Sequence, residues 1–283
     1  MNDVSRELHT PLIDEFVTAF TQQLTLAGRY ALQLQDQLPE HSTAKHGDAW
    51  TSVLTDADIG VQQFIEAWIL ATHPDWGFFG EEYELSRNTR YFDPQAEVVV
   101  NLDPINGTRL YRDGASQFDL LASLTWRGQM LASVSHMPAI ATTFIAAVDR
   151  PAVMHTPHSS QPIRPATPAN PWLGVYQADE LVARLPQSTQ VFDMLNDYDK
   201  HDPRCCLNSL FTGALGGYLF LDCALLDVGA TAFAVHQAGG IATDPVGRPL
   251  ELFGHFDPQQ HADLLVCMNH ELHRDVVTAL RQD

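Results

Sequence analysis

Between residues 14 and 38 apolar side chains recur at helical spacing, at Phe16, Phe20, Leu24, Ala27, Ala31 and Leu34. The spacing predicts one long helix stopped by Pro39. Residues 45–53 are mostly polar and read as a loop. Thr55 or Asp56 then caps a second helix with Ile59, Phe64, Ile65, Trp68 and Ile69 as its apolar positions and Pro74 as its stop. The pattern changes at residues 98–102, an apolar run with one polar break that suits a buried strand. Residues 118–126 and 129–137 flank Arg127-Gly128 and predict a hairpin, with Gly128 supplying the unusual backbone angle. A further strand is expected at 142–148. Residues 151–171, rich in proline, serine and threonine, read as an irregular connection between two halves, 1–150 and 151–283. In the second half, strands are expected at 172–176, 217–222, 241–243 and 264–268. Helices are expected at 179–185, 227–238 and 271–281. The 227–238 helix closes on Gly239-Gly240, where glycine fits a left-handed cap.

Composition narrows the function. The chain has 283 residues, 45% of them hydrophobic and 18% charged, enough for a sizeable core. Its formal net charge is −19, with no basic stripe to neutralise phosphates, which argues against nucleic acid as a partner. The same charge disfavours an anionic membrane surface, and no apolar run is long enough to span a bilayer. The four cysteines, Cys205, Cys206, Cys223 and Cys267, include no C-x-x-C pair. The first residues are polar, with no signal core, so the expectation is a cytoplasmic protein with reduced thiols. An acidic protein that takes an anionic substrate needs a local positive centre, and a bound cation is one source.

The candidate chemistry lies where the apolar run ends, at Val99-Val100-Asn101-Leu102-Asp103-Pro104-Ile105-Asn106-Gly107-Thr108. Asp103 falls at the carboxyl end of a strand, where α/β sheets place their sites. Gly107 lets backbone approach a ligand, and the N–H groups beyond it open a helix suited to phosphate oxygens. Glu81, Glu82, Asp56, Asp58 and Asp227 occupy similar element ends. Each alone reads as a cap or a solvated loop acid. Converging carboxylates repel unless they hold a cation, and oxygen ligands suit Mg²⁺ or Mn²⁺. No H-E-x-x-H, G-x-S-x-G or P-loop pattern is present.

Taken in order, Gly80-Glu81-Glu82, Asp103-Pro104-Ile105-Asn106-Gly107-Thr108, Leu226-Asp227-Val228-Gly229-Ala230 and Ala238-Gly239-Gly240 resemble the inositol monophosphatase family. These are lithium-sensitive, magnesium-dependent phosphatases related to fructose-1,6-bisphosphatase. The resemblance implies a layered αβαβα sandwich, α+β in its first half and α/β in its second, and a homodimer. It implies Mg²⁺, with Mn²⁺ as substitute, and hydrolysis of a small phosphorylated substrate by metal-activated water. By the same resemblance Glu81, Asp103, the Ile105 carbonyl, Asn106 and Asp227 are metal ligands. Glu81, Thr108 and Asp58 act on the water, Asp58 as the acid of a T-x-x-D element begun by Thr55. Gly107, Thr108, Ser209 and Asp227 contact substrate, Glu82 supports the ligands, and Lys45 lies on a loop that closes over the metals.

The sequence departs from the family at three places. Asn106 stands where the family has aspartate, and this removes one negative charge. At 4 Å and an effective dielectric near 20 a unit charge is worth about 4 kcal/mol, so ~1.5–4 kcal/mol of second-metal affinity is at stake. Leu226 replaces a tryptophan, and Phe220 falls near the place of an inositol-contacting acid. The amide leaves three readings: an enzyme with a weakened second metal site, a catalytically impaired homologue that binds metal or phosphate as a regulator, or deamidation of Asn106-Gly107 to restore the acid. Inositol phosphate, a sugar bisphosphate, a nucleotide 3′-phosphate and histidinol phosphate all stay open as substrates.

Overall fold

The structure, a computed structural model, describes residues 3–37, 56–165, 171–251 and 253–281. The chain begins with helix α1 (Asp3–Gln35) and helix α2 (Asp56–Thr72). A seven-stranded sheet follows in chain order: β1 (Gly77–Gly80), β2 (Val98–Asn106), β3 (Asp119–Trp126), β4 (Gln129–Met137), β5 (Thr142–Ala147), β6 (Arg150–His155) and β7 (Ser160–Pro162). Helix α3 (Thr108–Arg112) sits between β2 and β3. Only β1 and β2 are parallel; the rest of this sheet is antiparallel. The second half supplies β8 (Trp172–Tyr176), α4 (Asp179–Val182), β9 (Gln190–Asp193), α5 (Ser209–Thr212), β10 (Gly217–Ala224), α6 (Leu225–Gln237), β11 (Ile241–Thr243), β12 (His261–Cys267) and α7 (His270–Leu280). Its five strands are ordered β11-β12-β10-β8-β9.

The layers follow from which side chains each element buries. Phe16, Phe20 and Leu24 of α1 and Val61 and Ile65 of α2 pack on Val100, Leu102 and Leu124 of the large sheet. Helix α6 lies between the two sheets, with Phe233 and Val235 among side chains of both. Helix α7 covers the outer face of the small sheet through Leu272, Val276 and Leu280. Strand β10 shows why a strand can serve two layers. Tyr218 and Phe220 point to the α6 side and Leu219 to the α7 side, since successive side chains alternate. The result is the expected αβαβα sandwich.

Several expectations need correcting. Helix α1 starts at Asp3, with Pro11 inside it, well before residue 14. In α2 the buried stripe is Val61, Ile65 and Ile69, while Phe64 is exposed. The β3–β4 turn puts both Arg127 (φ 50°) and Gly128 (φ 78°) in the left-handed region, because a two-residue hairpin loop matches strand twist only that way. The proline-rich stretch at 151–171 is not wholly irregular. It carries β6 and β7, and Pro162 lies on the edge strand β7, where a missing N–H need cost no ladder bond. Strand β9, too short to show periodicity, is an addition, and the 179–185 helix shrinks to α4 plus turns. Gly239, just past α6, is left-handed (φ 86°) as expected.

One clamp ties α2 to the loop after β1. The buried Gln62 amide donates to Glu66 Oε1 (2.8 Å) and accepts from the Glu82 N–H (2.9 Å), while the Ser86 hydroxyl donates to Glu66 Oε2. Gly80 lies directly against Gln62, and a Cβ there would collide with the amide. Gly80→Ala is therefore expected to destabilise the fold by ~1–3 kcal/mol. Denaturant unfolding checks this, and a wild-type midpoint would show the clamp to be soft.

Candidate active site

Strands β1 and β2 run parallel, with Gly80 paired to Leu102. The next residue on each strand, Glu81 and Asp103, therefore comes alongside the other, and the Glu81 N–H donates to the Leu102 carbonyl at 3.1 Å. The β2–β3 ladder then breaks register between Asp103 and Asn106. Pro104, with no N–H to give, sits in that break. Gly107 follows in the left-handed conformation (φ 89°, ψ 46°), which only glycine adopts without strain. It turns the chain into α3, where the Thr108 hydroxyl donates back to the Ile105 carbonyl at 3.1 Å. At five residues α3 is shorter than the anion-binding helix expected after Gly107, and it has little macrodipole.

Asp227 arrives from the other half of the chain. It is the third residue of α6, which packs against β2. Glu81, Asp103, Ile105, Asn106, Gly107, Thr108 and Asp227 all line one cleft of about 350 Å³. Asp58, in the first turn of α2 and buried, stands behind it. Its carboxylate oxygens and those of Glu81 and Glu82 lie within 4.8 Å of one another. Ser209 does not join the cleft. Its N–H donates to the Cys206 carbonyl (3.0 Å) and its hydroxyl meets the Tyr218 hydroxyl (3.0 Å), so both groups are already used inside the protein. Lys45 and Thr55 lie outside the described residues.

The electrostatics show a charge deficit. Burial first, then the negative charges of Glu81 and Asp227, holds Asp103 well above the usual carboxylate range. Glu81, open on its cleft side but crowded elsewhere, is pushed up to about 8 by burial and then by Asp227 and Asp58. The two carboxyl groups share a hydrogen bond that raises Asp103 and lowers Glu81, as when Asp103 holds the proton. Burial also raises Asp227 to about 6, and burial with Asp58 raises Glu82 to about 7. Asp103 is 4% exposed, and its Oδ1 has no hydrogen-bond partner. A buried, unpartnered carboxylate oxygen among like charges is costly. A hard divalent cation answers that cost, and carboxylate, amide and carbonyl oxygens are the donors it takes. The residues present fit such an ion.

The sequence profile of the inositol monophosphatase family matches residues 15–283. The chain belongs to this family of metal-dependent phosphatases. It is 26% identical over 125 residues to the 3′(2′),5′-bisphosphate nucleotidase CysQ of Haemophilus influenzae, covering 42% of this chain and 40% of that protein. It is 32% identical over 95 residues to a histidinol-phosphatase of Chlorobaculum parvum, covering 33% and 34%. The chain thus spans well under half the length of either relative in these matches. Among solved structures it is similar to the extragenic suppressor protein SuhB of Bartonella henselae (TM-score 0.73, 17% identity, 95% of this chain and 99% of that one) and to the inositol monophosphatase TM1415 of Thermotoga maritima (TM-score 0.72, 18%, 95% and 97%). At such identities these likenesses show the fold alone.

Within this cleft lie an acid and a set of apolar side chains that the sequence did not reveal. Asp119 opens β3 and lies 2% exposed. Burial pushes it up to about 7, and hydrogen bonds from the side chains of Ser135, Asn208 and Asn106 pull the other way. Its signal in the sequence was a lone acid between Phe118 and the apolar run Leu120-Leu121-Ala122. Tyr176, Met194, Tyr198, Leu207, Phe220 and Cys223 supply the apolar and aromatic part of the lining. Arg109 stacks over the Tyr198 ring (3.6 Å to its centroid), and the Tyr198 hydroxyl donates to Asp113 (2.9 Å). All four cysteines are buried and free, with thiols pushed up chiefly by burial, so they are poor nucleophiles. Among the described residues no helix is long and apolar enough to cross a membrane.

Proposed function

We propose that this protein hydrolyses a small phosphomonoester with Mg²⁺, or Mn²⁺ in its place, and that the leaving group carries a flat, weakly polar ring. The unpartnered Oδ1 of buried Asp103 amid like charges carries the first part of the reading. Glu81, Asp103, the Ile105 carbonyl, Asn106 Oδ1 and Asp227 would hold the cation. When bound, it supplies charge neutralisation and Lewis-acid polarisation of the phosphoryl group and of water. The chain's own residues do the rest. Thr108, with its proton given to Ile105, keeps lone pairs to accept from a water. Glu81, beside it in the cleft, is placed to take that water's proton, and Asp58 and Glu82 hold Glu81 in a negative field that favours proton uptake.

The leaving-group reading rests on the aromatic and thioether wall around Phe220. These side chains offer a flat ring apolar surface, beside polar groups such as Gln177, Asp222 and His261 that also line the cleft. The nucleotidase and the histidinol-phosphatase among the relatives agree with a ring-bearing substrate. Phosphate release from a nucleoside 3′-phosphate, histidinol phosphate and inositol monophosphate tests the reading. The expected result is metal-dependent release, with kcat/KM for one of the ring-bearing esters about tenfold or more above that for inositol monophosphate. Equal rates would refute the ring preference, and no release from any ester with either metal would refute the phosphatase. Asn106 favours one rival, a metal-binding regulator without catalysis. That rival wins if wild type is inert while Asn106→Asp turns over.

A further inference from the structure

Asn106 and Asp119 are direct partners across the β2–β3 ladder, at the point where the register resumes after its break. Both line the cleft. The Asn106 Nδ2 atom is buried and approaches Asp119 without closing a bond of full hydrogen-bond geometry. The Ser135 and Asn208 side chains donate to the Asp119 carboxylate, while Asp103 lies near enough to feel its charge. The Ser135 hydroxyl donates at 2.5 Å, and the Asn208 amide, which also donates to Ser135 Oγ at 2.8 Å, braces that hydroxyl.

We propose that Asp119 is a positioning residue for the metal end of the cleft: it holds the Asn106 amide with its nitrogen inward and its oxygen toward the cation, and it returns the negative charge that an asparagine at 106 removes. The chemistry of an amide compels the first half. Asn106 has one donor end and one acceptor end. With Nδ2 turned to Asp119, Oδ1 turns away from it and is left free for a cation in the cleft that Asp103, Ile105 and Asp227 also line. The second half follows from charge. An aspartate at both 106 and 119 would set two buried carboxylates face to face, whereas an amide and a carboxylate attract. With Asp119 ionised, the pair carries a single negative charge, one side chain further from the cation than in a family member with aspartate at 106. A carboxylate that orients a ligand from behind typically governs metal affinity by 10–100-fold.

This inference rests on the phosphatase reading only in taking the cleft to bind a divalent cation. Calorimetric titration of the full-length protein with Mn²⁺ tests it, on wild type, Asp119→Asn, Asn106→Asp and the double variant Asn106→Asp/Asp119→Asn, each with the amide or acid at 106 verified by mass. Asp119→Asn is expected to weaken Mn²⁺ binding by about tenfold or more with no loss of metal-free melting temperature. The double variant, which moves the one charge from 119 to 106, is expected to recover wild-type affinity within about threefold. Asp119→Asn binding like wild type overturns the proposal, as does a folded double variant no tighter than Asp119→Asn. If Asp119→Asn does not fold, the double variant against wild type decides, since a folded double variant binding tenfold more weakly refutes the charge exchange. Wild type that binds Mn²⁺ but releases no phosphate refutes the phosphatase and leaves this comparison intact. Wild type that releases phosphate and is indifferent to Asp119→Asn refutes this inference alone, and wild type that binds no Mn²⁺ refutes both.

Discussion

Asp103→Asn is expected to abolish Mn²⁺ uptake and to lower kcat/KM for phosphate release by about 10³ or more, while making the metal-free protein more stable. The two effects have opposite signs for one reason. In the folded chain Asp103 is buried against Glu81 with an oxygen that nothing in the protein satisfies. Asparagine is nearly isosteric, carries no charge, and gives Glu81 a permanent N–H donor. Asparagine spares the fold the proton that Asp103 must take up to be buried beside Glu81, which is worth ~1–3 kcal/mol near neutral pH. The loss in activity corresponds to ~4 kcal/mol of barrier, because the carboxylate flanked by Glu81 and Asp227 is the one that most needs a cation and best holds it. A residue kept for packing would lose stability and activity together. Calorimetric titration with Mn²⁺, melting in EDTA and steady-state kinetics on one preparation separate the cases. A variant that melts earlier without metal and still binds Mn²⁺ would return Asp103 to an ordinary structural role.

The elements with strong periodicity were readable before any coordinates. The stripe from Phe16 to Ala31 and the β3–β4 hairpin around Arg127-Gly128 all appear where their patterns put them. So does the α6 end at Gly239. What escaped was set by tertiary context. Strands β6 and β7 look like linker because strands at and next to a sheet edge tolerate proline and exposed polar residues, and only pairing, of β6 on β5 and of β7 on β6, makes them strands. At the site, motif residues contiguous in sequence were placed well, since a strand end and its turn are local. Asp119 was not, because its meaning depends on being opposite Asn106, and a break in register cannot be read from either strand alone. Ser209 failed for the converse reason. By resemblance it was a substrate contact, but the fold spends its N–H on Cys206 and its hydroxyl on Tyr218.

On the proposal above, the charge that Asn106 lacks and the charge that Asp119 carries belong to one balance. A reading by motif counts carboxylates along the chain, whereas a cation responds to their sum within a few ångströms. The −19 formal charge says nothing of this local balance. The proposed pairing of Asn106 with Asp119 across β2 and β3 does, and on that proposal the asparagine alone makes no case for a retired enzyme.

Stability and metal binding should depend on pH in opposite directions. In the metal-free fold Asp103 is held well above the usual range, Asp119 is raised to about 7 and Asp227 to about 6, all chiefly by burial. In the unfolded chain these aspartates titrate near 3.9. The native state therefore binds more protons than the unfolded state above that value, and stability falls as pH rises. Their full contribution is present below about pH 4 and is lost progressively as pH climbs through 6 and 7. Each such proton is worth about 1.4 kcal/mol per pH unit. Two or three of them make the metal-free protein weaker by ~2–4 kcal/mol at pH 8 than at pH 6, a drop in melting temperature of roughly 5–10 °C. A divalent cation acts on the same carboxylates in their ionised form, so binding releases protons and tightens as pH rises. Saturating Mg²⁺ is accordingly expected to raise the melting temperature much more at pH 8 than at pH 6 and to close most of the gap. Melting curves in EDTA and in Mg²⁺ across that interval measure the stability, and Mn²⁺ titrations in buffers of different ionisation enthalpy count the released protons. Metal-free protein that is as stable at pH 8 as at pH 6, or Mn²⁺ uptake that releases no proton, would mean that the acids of this cleft are already ionised and satisfied without a cation.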